Sequence, residues 1–189
     1  IPYQDQSNLP VFDTGLMDLN MGTLFAENQY AGVDRINNAN QVSYALTSRL
    51  IDADTGEQRF AATVGQRLYF ADQKVALPYQ DLRSGSRSDI IATATMRLRS
   101  KWNIDAAWQY NTDTGETVKA NIGGRYTPDP GKLLNLSYRY TKNLVDPTKD
   151  LEQINVSGQW PLGGGYYTLG RLNYSIKDSK AVETLAGIE

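Results

Sequence analysis

Ile90-Ile91-Ala92-Thr93-Ala94-Thr95-Met96-Arg97-Leu98-Arg99, followed after two residues by Trp102-Asn103-Ile104-Asp105-Ala106-Ala107-Trp108-Gln109-Tyr110-Asn111, decides the fold. Even positions carry Ile90, Ala92, Ala94, Met96 and Leu98, then Trp102, Ile104, Ala106, Trp108 and Tyr110. Odd positions carry Thr93, Thr95, Arg97 and Arg99, then Asn103, Asp105, Gln109 and Asn111. Neighbouring side chains of a strand point to opposite faces, so this is a sheet with one apolar face and one polar face. Two intervening residues are too few for a crossover, so the two strands pair antiparallel.

The same period extends in both directions. It predicts strands over 41–50, 59–70, 117–126, 133–141, 153–160 and 166–177, with another beginning near Ala181. Asp54-Thr55-Gly56 and Asp113-Thr114-Gly115 are hairpin tips. Pro128-Asp129-Pro130-Gly131 and Gly163-Gly164-Gly165 cannot continue a strand. All connections are short enough for an antiparallel meander of about nine strands. Residues 1–39 differ: Asp5, Asn8, Pro10, Asp13, Gly15, Asp18, Asn20 and Gly22 punctuate a segment with no sustained period. They read as a long loop, with a short ordered element at Leu24-Phe25. Two units follow: a loop over 1–39, extracellular or folded into a lumen, and a partial barrel over 40–189.

Composition narrows the class. The chain has 189 residues, a net charge of −2, and neither cysteine nor histidine. That balance offers nothing to nucleic acid, and the missing residues remove disulfides, thiolate metal sites and Ser-His or Cys-His nucleophile pairs from this stretch. No eighteen-residue apolar run exists, so no transmembrane helix is expected, though barrel strands hide their apolar character by alternation. There is no signal peptide, and the last residues, Gly187-Ile188-Glu189, fall inside an apparent strand, so the chain reads as an excerpt from a longer protein.

A soluble barrel also alternates, so the choice of a membrane barrel rests on three features. No residue of the apolar face is charged over eight strands, although 21% of the chain is. The opposite face carries Arg49, Arg59, Arg67, Arg97, Arg99, Lys119, Arg125, Arg139 and Arg171, with Asp105 the clear acidic exception. Aromatic residues of the apolar face gather at strand ends: Phe60, Trp102, Tyr126, Trp160 and Tyr166 at one, and Tyr44, Phe70, Tyr110, Tyr140 and Tyr174 at the other. Such belts mark the two interfaces of a bilayer. The expected fold is therefore all-β, an antiparallel meander forming part of a large transmembrane outer-membrane β-barrel. Connections 71–89, 112–116, 142–152 and 178–180 are the longer set and are expected outside the cell; 51–58, 100–101, 127–132 and 161–165 are the short, periplasmic set.

The run Leu24-Phe25-Ala26-Glu27-Asn28-Gln29-Tyr30-Ala31-Gly32-Val33-Asp34-Arg35-Ile36 leads into Asn40-Gln41-Val42 and Thr47-Ser48-Arg49. Pro2-Tyr3-Gln4-Asp5-Gln6-Ser7 precedes it; Gly65-Gln66-Arg67-Leu68-Tyr69-Phe70 and Leu185-Ala186-Gly187-Ile188-Glu189 follow. Together they resemble the LptD family, also known as the organic-solvent-tolerance or LPS-assembly proteins, over essentially the whole chain. The resemblance implies the C-terminal barrel portion of a protein that inserts lipopolysaccharide into the outer leaflet of the bacterial outer membrane. It also implies a plug lipoprotein, LptE, in the lumen, and a periplasmic domain, absent here, that receives lipopolysaccharide from the bridge protein LptA. No cofactor and no enzymatic chemistry are implied.

On this reading the nine basic residues contact lipopolysaccharide phosphates or the plug. Alternatively they pair with carboxylates of the first segment, such as Asp13, Asp18, Glu27 or Asp34. Two other functions share the alternation. One is a porin-type diffusion channel. The other is a barrel fragment held by the outer-membrane assembly machinery, suggested by the two open edges that nine strands leave.

Overall fold

The structure, a computed structural model, describes residues 1–6, 8–78, 80–83, 85–99, 101–143 and 146–189. Ser7 of the Pro2–Ser7 motif, Ser100 of the 100–101 turn, Tyr79 and Ser84 of the 71–89 connection, and Leu144 and Val145 of the 142–152 connection lie outside them. Two short strands, β1 (Gly15–Leu16) and β2 (Tyr30–Ala31), pair as a ribbon. Nine longer strands follow: β3 (Gln41–Ile51), β4 (Gln58–Tyr69), β5 (Ile90–Leu98), β6 (Trp102–Asn111), β7 (Glu116–Tyr126), β8 (Leu133–Thr141), β9 (Leu151–Gly163), β10 (Tyr166–Ser175) and β11 (Lys180–Ile188). They form one sheet in chain order, every neighbouring pair antiparallel. A single 3-10 turn, Pro147–Lys149, lies between β8 and β9, and no α-helix occurs among the described residues. No helix there is long and apolar enough to cross a membrane, which says nothing of strands. The sheet is open: β3 and β11 each have one neighbour.

The predicted alternation governs which side chains meet. Residues directly opposite in an antiparallel pair share a face. Ala94 opposes Ala62 and Ala106, and Ala106 opposes Ile122, which in turn opposes Tyr138. Among the described residues nothing covers this apolar face. Leu46, Leu50, Trp108, Ile122, Leu136, Val156 and Leu172 are all exposed, Leu46 by 73%. Soluble proteins rarely leave so continuous an apolar surface bare. Trp102 stacks on Tyr126 with ring centroids 4.4 Å apart, so two members of one aromatic belt are in direct contact.

Three polar residues on the apolar face are satisfied locally. Gln66 opposes Tyr44, accepts from its hydroxyl at 2.9 Å and donates to the Ser88 carbonyl at 2.9 Å. Thr117 accepts from Trp108 Nε1 at 3.1 Å. Glu152 opposes Tyr140 and accepts from the Tyr138 hydroxyl at 2.9 Å. The last follows from β9 beginning at Leu151, where the period alone predicts 153; the extension places one carboxylate at the end of the apolar face.

One face assignment changes. The register between β6 and β7 slips at Gln109/Tyr110: Tyr110 opposes Thr117 and Gln109 opposes Lys119. Val118 is the extra residue of this bulge. It is buried and lines a cleft with Lys119, away from the apolar face on which simple alternation places it.

Candidate functional site

The basic face is the candidate site, and the register organises it into a row. Arg97 on β5 opposes Asn103 on β6, which opposes Arg125 on β7, then Asn135 on β8, Ser157 on β9 and Arg171 on β10. One line of six residues thus crosses six strands, its guanidinium groups separated by one or two short polar residues. Arg97 Nε donates to Asn103 Oδ1 at 3.3 Å and Arg125 Nε to Asn135 Oδ1 at 3.1 Å. Asn135 Nδ2 then donates to Ser157 Oγ at 3.2 Å. Arg171 ends the row in an ion pair with Glu183 at 3.5 Å. With strands about 4.8 Å apart, Arg97 and Arg125 stand roughly 10 Å from each other. Arg97 and Arg125 are held by Nε, so their terminal nitrogens remain available to an incoming acceptor, whereas Arg171 uses a terminal nitrogen on Glu183.

Beside the row the face is hollow. A cleft of about 550 Å³ is lined by Asn103, Asp105, Gly123, Arg125, Ser157 and Arg171, among others. Gly123 makes room for the Asp105 carboxylate: a Cβ there would stand 3.1 Å from both of its oxygens.

At the β3–β4 side the face is covered by the N-terminal segment. Arg67 is buried. Its guanidinium donates to Ser43 Oγ at 3.0 Å, to the Thr23 carbonyl at 3.1 Å, to the Ala26 carbonyl at 3.0 Å and to the Leu24 carbonyl. Ser43 Oγ donates to that same Leu24 carbonyl at 2.6 Å. The Leu24 side chain is fully buried over Gly65, where a Cβ would come within 2.6 Å of Leu24 Cδ2. Glycine is required there for close approach. Farther along, Asp18 reaches β7 and pairs with Lys119 at 2.9 Å. The Tyr30 hydroxyl donates to the Val75 carbonyl at 2.8 Å and ties β2 to the 70–89 connection. Residues 15–31 therefore form a strap held to β3, β4 and β7.

The nine predicted basic residues divide. Arg97, Arg125 and Arg171 form the row. Arg67 and Lys119 hold the strap. Arg59 sits at a register slip and pairs with Asp52 at 3.1 Å and Glu57 at 3.1 Å. The Asp52 carboxyl is lowered to about 2, chiefly by the Thr55 backbone N–H and then by the Thr55 hydroxyl and Arg59. Arg49 and Arg139 are exposed on the same face. Arg99 does not extend β5: the strand ends at Leu98, and Arg99 turns with φ 47°, a left-handed backbone.

Of the four carboxylates that could pair with these cations, Asp18 does so. Asp34 instead accepts from the Phe12 and Asp13 N–H groups at 3.0 and 3.3 Å, and those bonds lower its pKa. Sequence reasoning missed Ser43, Asn103, Asn135 and Ser157; counting register outward from the hairpin tips would have aligned the last three with the arginines. Leu24, expected in a short ordered element, lies in a turn whose N–H bonds to the Asn20 carbonyl, and the ordered ribbon is β1–β2.

A family model described as LptD, LPS transport system D, matches residues 1–166. Proteins named LPS-assembly protein LptD are similar throughout: that of Thiobacillus denitrificans is 45% identical over 188 residues, covering 100% of this chain and 25% of its own length. That of Azoarcus sp. is 47% identical over 191 residues, covering 100% of this chain and 23% of its own. That of Burkholderia pseudomallei is 38% identical over 192 residues, with 100% and 24% covered. The chain thus spans about a quarter of the length of these curated relatives. A family model covers most of the chain and relatives of 38–47% identity match all of it, and on that ground the chain belongs to the LptD family.

Proposed function

We propose that this chain is part of the transmembrane wall of an outer-membrane barrel, in the C-terminal portion of a protein that inserts lipopolysaccharide into the outer leaflet. The observation that carries the reading is the contrast between the two faces. One is uncharged over the middle of nine strands and bare, as a lipid-facing surface must be. The other carries the Arg97–Asn103–Arg125–Asn135–Ser157–Arg171 row beside an open cleft. Positioned guanidinium groups suit phosphates and acidic sugars, or acidic patches of a plug protein.

The work is passage and not chemistry. Lipopolysaccharide is the cargo, LptE the occupant of the lumen, and LptA the donor, acting through a domain outside this chain. The open β3 and β11 edges require further strands in the membrane, because lipid cannot satisfy exposed backbone groups. The outer-membrane assembly machinery is the partner during insertion.

Charge reversal in the full-length protein tests this. Arg97→Glu, Arg125→Glu and Arg139→Glu together should reduce lipopolysaccharide at the cell surface and weaken plug retention at normal barrel levels. Unchanged export and unchanged plug association would refute the lumen-contact reading.

A further inference from the structure

The rim at which β5–β6, β7–β8 and β9–β10 turn differs from its opposite. Its β5–β6 and β7–β8 turns carry Arg99, Lys101, Asp129 and Lys132, three cations and one carboxylate, while the β3–β4 turn on the same rim carries Asp52, Asp54 and Glu57, and Glu189 lies beside Tyr167. The opposite rim mixes signs: Asp113, Glu116, Lys142, Asp146, Lys149, Asp150, Lys177, Asp178 and Lys180. The cationic turns adjoin the aromatic belt. Lys101 immediately precedes Trp102, which stacks on Tyr126. The Lys101 carbonyl accepts from the Thr127 N–H at 2.8 Å, binding the two turns together. Lys132 Nζ lies 5.4 Å from the Trp160 ring centroid and 2.8 Å from Asp129 Oδ2.

Asp129 is the ion-pair partner of Lys132. Its carboxyl is held below its ordinary range by the Lys132 hydrogen bond and charge, with Lys101 adding to the effect. One carboxylate cannot neutralise three cations, so this pair of turns keeps a net positive charge. It does so where Trp102, Tyr126 and Trp160 set the depth of the chain in a bilayer. An ammonium above an indole, with its stem on an apolar surface, is the arrangement by which lysine keeps its head among headgroups.

We propose that Lys132 on Trp160, together with Lys101, forms a contact site for the phosphate headgroup of an acidic phospholipid in the surrounding bilayer. The proposal rests on the membrane reading given above. It concerns the outer rim, not the basic row, and its partner is the bulk lipid that holds the barrel and not the transported cargo. A basic group at a membrane surface enriches acidic lipid by about fivefold. The two turns thus bias the lipid composition at β6–β9 and not at the β3–β4 turn, which carries Asp52, Asp54 and Glu57.

The test uses full-length protein in vesicles containing phosphatidylcholine with phosphatidylglycerol, one or the other brominated near the headgroup. Trp160 emission is isolated as the difference between the parent and Trp160→Phe. Brominated phosphatidylglycerol should quench it severalfold more than brominated phosphatidylcholine at equal content. Lys101→Gln with Lys132→Gln should abolish that preference, and Lys132→Arg should keep it. Equal quenching by both lipids in the parent, or a preference surviving the double substitution, would overturn the proposal. Failure of either lipid to quench Trp160, and Trp108 isolated in the same way, would overturn the membrane reading itself.

Discussion

Arg67 on β4 donates to the backbone carbonyl of Leu24, a residue 43 positions earlier, while the Leu24 side chain fills the space above Gly65. This is the fastening of the strap. Hydrogen bonds from a charged group contribute about 1.5–3 kcal/mol each, and more is lost when buried acceptors are left unpaired. Arg67→Ala should therefore free residues 15–31 in the full-length protein while leaving the strands paired. Limited proteolysis should show new cleavage within 15–31, with Arg67→Lys intermediate because an ammonium cannot match the planar fork. Unchanged cleavage would show that the strap is held by other contacts.

Gly65 makes a second, opposite demand. Gly65→Ala puts a Cβ 2.6 Å from Leu24 Cδ2 and 2.9 Å from the Tyr44 carbonyl, which has little freedom to retreat. Overpacking of this kind costs about 1–3 kcal/mol. Leu24→Ala should cost about 2–5 kcal/mol by leaving a cavity at the same place. The two changes together should be less damaging than their sum, since the smaller side chain makes room for the added methyl. The denaturant midpoints of the four proteins measure this coupling.

Val156 and Asn155 are neighbours on β9 on opposite faces of the sheet. Val156 opposes Leu136 and Leu172 on the apolar face; Asn155 opposes Ser137 and Asn173 on the other. Val156→Arg should lower folding stability in lipid vesicles by about 2–4 kcal/mol, the cost of arginine at a bilayer midplane, while Asn155→Arg stays within about 1 kcal/mol. Equal effects would contradict the assignment of faces.

Asp52 gives a pH dependence. Its folded pKa, about 2, lies below the ordinary 3.8. A depressed carboxyl contributes stability that is fully present above 3.8 and is lost as pH falls towards 2. Between pH 4 and pH 2 the parent should therefore lose more stability than Asp52→Asn. Parallel denaturant midpoints across that window would remove the role of the Thr55 and Arg59 contacts.

Eight of the nine long strands were legible because each repeats a period of two for at least eight residues, and their predicted spans match within a few positions at their ends; for the ninth only its start near Ala181 was read. What was not legible has physical causes. Val118 and Thr117 exchange faces at a bulge, and one inserted residue leaves no compositional trace. Glu152 enters the apolar face because Tyr138 supplies a hydroxyl from the adjacent strand, a partner set by register. The β1–β2 ribbon is two residues long on each side, too short to show a period. The basic residues were found, but not their organisation. Arg67 satisfies itself with backbone carbonyls, which every residue has, so no carboxylate in the sequence could announce it. The family resemblance identified the segment that the period could not read.

The meander has a consequence for the order of assembly. Every strand finds its partner in the next stretch of chain, so the wall can zip from one hairpin to the next with little loop closure at each step. The strap cannot. Leu24 has no seat until Arg67 is in place, Tyr30 waits for Val75, and Asp18 waits for Lys119 on β7. The first part of this chain to be synthesised is thus the last to settle, and its docking reports that the first five long strands are in register.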